Sequence, residues 1–120
     1  MRYFMFIKHS ENYRNQEMPP ALMSAMGEFV QEGFGKGWLV DTAGLMPSAR
    51  GKRIELRGGK VKVVDGPFTE SKEVIGGYAI VQADSDEKAM VHATQFVELH
   101  RVHWPGFDCE CEIRPMEAMG

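Results

Sequence analysis

Between Arg2 and Lys8 the chain reads Tyr-Phe-Met-Phe-Ile, an aromatic and branched run that predicts a first strand. Side chains alternate along a strand, so Tyr3, Met5 and Ile7 share one face while Phe4 and Phe6 share the other. A strand apolar on both faces needs cover on both. A polar loop from Ser10 to Glu17 follows, and Pro19-Pro20 opens a helix at the position where proline is tolerated. Leu22, Met26, Phe29, Val30 and Phe34 recur at helical spacing and predict a core stripe over Ala21–Phe34. Gly33, Gly35 and Gly37 offer stopping points, after which Trp38 to Leu45 predicts a second strand.

Gly58-Gly59 separates Arg53–Arg57 from Lys60–Val64 and predicts a hairpin with a two-residue turn. That turn sets Ile54 opposite Val63, Leu56 opposite Val61 and Glu55 opposite Lys62. Val74 to Ala83 predicts another strand apolar on both faces, with Gly76-Gly77 marking a bulge or close backbone approach. Asp84, with Glu87 three residues on, predicts a capped helix bearing Ala89, Met90, Ala93, Phe96 and Val97 as its stripe. His100 and Arg101 suit the C-terminal end of that helix. A last strand, Cys109 to Arg114, ends at Pro115.

The order is β-α-β, an inserted hairpin, then β-α-β: an α+β, ferredoxin-like arrangement within one domain spanning residues 1–120. Helices cover one sheet face in that architecture, and the two strands apolar on both faces are those it places centrally. The uncovered face therefore predicts a sheet-to-sheet homodimer.

Composition narrows the function classes. A hydrophobic fraction of 43% and a charged fraction of 26% belong to an ordinary globular chain. Fourteen basic and 17 acidic residues give a net charge of −3, the wrong sign for a general nucleic-acid binder, and no nucleic-acid partner is expected. No apolar run approaches a membrane span, the Tyr3–Ile7 run is too short for a signal-peptide core, and two cysteines cannot build a secreted disulfide framework. A cytoplasmic protein without membrane association is expected.

Three groups of residues carry candidate chemistry. Asp65, Glu70, Lys72 and Glu73 could hold different protonation states and perform acid–base work, but an Asp-Gly-Pro turn accounts for Asp65 by itself. His100, Arg101, His103 and Trp104 could bind a small anion or aromatic ligand, or could cap a helix and pack the loop behind it. His100, His103, Cys109 and Cys111 are zinc-compatible types, but Cys-x-Cys and His-x-x-His do not match ordinary zinc spacing, and neither metal nor cofactor is expected. The basic residues around the hairpin, Arg50 to Lys62, fit an edge protected against aggregation.

The segment DGPFTESKE at Asp65 to Glu73, with VIGGYAIVQA, GWLVDTAGL and HWPGF around it, resembles the YCII-related family, specifically the branch marked by a DGPF(A/T)E(T/S)KE motif. The resemblance covers nearly the whole chain and implies a dimeric α/β barrel of ferredoxin-like protomers. It also implies a His–Asp pair in some relatives, with the histidine on the first helix. Here Ala21–Phe34 contains no histidine. Genes of that branch often neighbour those of extracytoplasmic-function sigma factors. The expected function is a small-molecule-binding or regulatory module, non-catalytic and connected with such signalling. The alternative is a small-molecule isomerase or lyase using Asp65 with His9, His100 or His103 as acid and base.

Overall fold

The computed structural model describes residues 1–11, 17–68 and 71–118. Its strands and α-helices in chain order are β1 (Arg2–His9), α1 (Pro20–Lys36), β2 (Leu39–Gly44), β3 (Lys52–Arg57), β4 (Lys60–Asp65), β5 (Val74–Gln82), α2 (Asp86–His103) and β6 (Glu110–Pro115), with a short 3-10 turn at Ser48–Arg50 before β3. Four strands form one antiparallel sheet in the order β2-β5-β1-β6. That order, with two helices, makes the architecture α+β and compatible with a ferredoxin-like fold.

Pro20 starts α1, and Gly37 ends it in the left-handed region, its N–H reaching the Phe34 carbonyl. The second cap differs from the expectation by one residue. Ser85, not Asp84, occupies the cap, because its extended backbone (φ −152°) lets Oγ accept from the Lys88 amide at 3.2 Å. Asp84 instead meets the Lys88 ammonium. Phe34 and Met90, both assigned to core stripes from the sequence, are about half exposed. On α1 the corresponding inward position is Gly33, packed so closely on Trp38 and Leu39 that a Cβ there would lie 2.8 Å from the Leu39 Cβ.

Burial resolves the two faces of the central strands. Tyr3, Met5 and Ile7 are buried together with Ala79 and Val81, on the side where Ala89 and Ala93 of α2 join the core. Cys111 is partly buried on this face, and Ile113 packs against the core beside it. The opposite face carries Phe4, Phe6, Tyr78 and Ile80, all only partly buried, with Phe4 stacked on Tyr78 at 5.6 Å. Lys8 pairs with Glu110 and Glu112 along its margin.

β3 and β4 pair only with each other, in a separate two-stranded ribbon. Its register sets Ile54 opposite Val63, Glu55 opposite Lys62 and Leu56 opposite Val61, as the turn length dictates. Gly58 and Gly59 have φ of 56° and 78°, the two positive values that a tight hairpin turn requires of its central residues. No helix among the described residues is long and apolar enough to cross a membrane.

Candidate functional site

The β1–β5 register slips beside Gly76: Ile7 pairs with Gly77, and Lys8 with Ile75. Gly76 is the extra residue of a bulge, and the His9 ring lies directly over it. A Cβ at position 76 would sit 1.9 Å from His9 Nε2, so only glycine fits under this ring in its present place. His9 is buried, with Nδ1 3.1 Å from the Ser10 carbonyl and Phe107 at 5.8 Å between ring centres.

The C-terminal half of α2 brings a second buried histidine to the same place. His100 Nδ1 donates to the Phe96 carbonyl at 2.9 Å. A carbonyl only accepts, so Nδ1 carries the proton, and the neutral ring keeps its lone pair on Nε2. Burial pushes the His100 pKa below the ordinary imidazole value; the Phe96 carbonyl opposes that shift, and the neighbouring charge of His9 adds to it. Phe107 stacks on His100 and, at 4.3 Å, on buried Trp104.

These groups border a cavity of about 390 Å³ between the helix-facing side of the sheet and the two helices. Its walls are apolar over most of their extent: Met5, Ile7, Phe29, Val30, Trp38, Phe96 and Phe107 meet Gly76 and Gly77 of the sheet. His9, His100 and Cys111 are among the residues that bring polar atoms to it. Burial pushes the Cys111 thiol up to about 11, so it stays protonated at neutral pH and is a poor nucleophile. Among the described residues no group of three or more His, Cys, Asp or Glu side chains is placed to hold a metal ion.

Of the residues singled out from sequence, His9, His100, Trp104 and Cys111 converge on this cavity. Arg101 turns outward to Glu98, and His103 is half-buried at the end of α2. Asp65 ends β4, largely exposed and bound to Lys52 at 2.5 Å, and is not part of the cavity wall. Lys72 is exposed. Glu73 borders a second, open depression with Glu11, Arg50, Arg53 and Phe68. There the guanidinium of Arg53 lies 3.9 Å over the Phe68 ring, and Ser48 joins Glu11 to the Phe68 amide. Glu70 lies outside the described residues. Phe107 and Gly76 went unassigned as site residues from sequence, and Cys111 was weighed there only as a metal ligand; the Gly76-Gly77 pair was the one signal of a close approach.

The fold and the cavity together define a small α+β protein with a partly open, mostly apolar site under two helices. The YCII-related domain matches residues 1–103, and the chain belongs to that family. No curated protein matches the chain.

Proposed function

We propose that this protein is a cytoplasmic, homodimeric module that binds a small, flat, mostly apolar molecule carrying one hydrogen-bond donor. The observation that carries the reading is the cavity of about 390 Å³, whose volume falls in the range of small-molecule sites and whose mostly apolar walls carry two buried histidines, His9 and His100. Stacked Trp104, Phe107 and His100 suit a planar ring, and the His100 Nε2 lone pair suits a hydroxyl or N–H on it. A binding role is favoured over the Asp65-based acid–base alternative, because Asp65 is held by Lys52 on the hairpin. The half-buried Phe4, Phe6, Tyr78 and Ile80 face supports a sheet-to-sheet dimer of the barrel type. Membership of the DGPF branch and a link to extracytoplasmic-function sigma-factor signalling rest on the resemblance of Asp65–Glu73.

The test is an NMR titration with 2-naphthol and with naphthalene. Binding of 2-naphthol should shift the Gly76 and Gly77 amides and the Trp104 indole N–H. His100→Phe should remove the preference for 2-naphthol over naphthalene. Shifts confined to residues away from the cavity would overturn the reading. Light scattering at micromolar concentration tests the assembly: a folded monomer would refute the dimer.

A further inference from the structure

Among the described residues, His9 and His100 are the two buried side chains able to carry a charge near neutral pH, and both border the cavity. His100 is 95% buried, with Nδ1 committed to the Phe96 carbonyl. Its Nε2 has no hydrogen-bond partner among the described residues. The groups around it supply no fixed charge. No Asp, Glu, Lys or Arg among the described residues stands in the cavity wall. The α1 segment brings no titratable side chain to it, Cys111 of β6 stays protonated, and Tyr78 of β5 gives its hydroxyl to Asp41. On α2 itself Arg101 turns outward to Glu98, and His103 is not part of the wall. The charge that bears on His100 is that of His9 of β1, which opposes a proton there.

These surroundings select a ligand chemistry. A buried ring nitrogen without a donor is incomplete, and a buried imidazole keeps a second proton only when an anion comes with it. A carboxylic acid meets both conditions, since it brings a proton for Nε2 and the negative charge that stabilises the imidazolium. A phenol brings the donor without the charge. A phosphate or sulfate needs several donors, which a mostly apolar wall does not supply. A cationic ligand finds no carboxylate in the wall.

We propose that the ligand of this cavity is a flat monocarboxylic acid, bound with uptake of one proton that His100 Nε2 shares with the carboxylate. The inference rests on the cavity reading above and narrows its hydrogen-bond donor to a carboxylic acid O–H. The ring of the acid lies against Phe107 and Trp104. In neutral solution the free acid is ionised and the free imidazole neutral, so carboxylate, protein and one proton make the complex, and no carbon bond changes. Binding therefore tightens as pH falls, by about tenfold per unit between pH 8.5 and 6.5, where neither free partner holds that proton.

Isothermal titration calorimetry of the full chain with 2-naphthoate, at pH 7 in phosphate and in Tris, counts the proton through the buffers' different ionisation enthalpies. About one proton should be taken up per naphthoate bound, and Kd should weaken about tenfold per pH unit from 6.5 to 8.5. The Kd of 2-naphthol, whose hydroxyl stays protonated over that range, should stay within about threefold. In His100→Gln the uptake and the pH dependence should vanish, while the amide oxygen still accepts from 2-naphthol. Should that variant not fold, 15N spectra of the wild-type imidazoles decide: naphthoate must convert one lone-pair Nε2 to N–H. Naphthoate bound without proton uptake, or with uptake that survives His100→Gln, would overturn the proposal. Shifts of the Gly76 and Gly77 amides by 2-naphthol, with no binding of 2-naphthoate, would also overturn it and leave the cavity reading standing. Binding of neither compound would overturn both.

Discussion

Gly76→Ala isolates one contact of the cavity. The new Cβ would lie 1.9 Å from His9 Nε2, 2.7 Å from Cδ2 and 3.0 Å from Cε1. Ordinary carbon contacts are about 3.5–4.0 Å, so the ring must move by about 1.5 Å or more. Gly76 does not have a positive φ, so the substitution adds no backbone strain of that kind. His9 is only 4% exposed, so its displacement disturbs packed neighbours, Phe107 among them. Overpacking of this type costs about 1–3 kcal/mol, while replacing glycine returns about 0.4–1 kcal/mol through the unfolded chain. The net loss is about 1–2 kcal/mol, or roughly 3–10 °C in Tm for a domain of this size. The assay is urea unfolding followed by circular dichroism on wild type, Gly76→Ala, His9→Ala and the double variant. With the ring removed there is nothing to strike, so Gly76→Ala in the His9→Ala background should be neutral or stabilising. The coupling should be about 1.5–2.5 kcal/mol. Additive losses would refute the contact.

Gly58→Val and Gly59→Val each force a branched residue to positive φ, so amide exchange in β3 and β4 should accelerate; unchanged exchange and unchanged Tm in both variants would refute the turn assignment. Burial holds His92 and His100 below their ordinary value of 6.5, so as pH falls the unfolded chain takes up protons before the folded one. Stability should therefore be full above about pH 6.5 and decline below it, and His100→Gln should flatten the fall in Tm between pH 7 and 5. The raised thiol pKa values of Cys109 and Cys111 predict that purified protein holds no stoichiometric zinc and that a chelator leaves the melting curve unchanged. One tightly held equivalent by metal analysis would reverse that.

The hairpin register was legible in the chain because a two-residue turn and a period of two leave one alignment in which Ile54, Leu56, Val61 and Val63 share a face. The central place of β1 and β5 was legible for a similar reason: apolar residues at successive positions, as in Tyr3–Ile7, suit strands that have a neighbour on each side. The cap at Ser85 was harder to read. Asp84 and Ser85 are both good capping types, and the choice falls to backbone dihedrals that the adjoining end of β5 fixes. Phe34 and Met90 fit the helical period but sit at the margins of their stripes, where a tilt of the helix on the sheet decides exposure.

Local pattern by itself determined the order of the strands and α-helices, because strand alternation, helical spacing and glycine turns act over a few residues; the 3-10 turn at Ser48–Arg50 was not read from it. Which face of β1 meets the helices was decided by tertiary structure alone, since Tyr3, Met5 and Ile7 on one side and Phe4 and Phe6 on the other are all large and mainly hydrocarbon. The same holds for the site. His9 ends β1, His100 lies near the end of α2, and Phe107 follows it in a loop; the sheet order and the bulge at Gly76 bring the three rings together. Asp65, prominent in the chain for its motif, went instead to the end of the β3–β4 hairpin, where it pairs with Lys52. Spacing along a chain measures only near neighbours, whereas a cavity is assembled from segments whose proximity comes from packing the whole core.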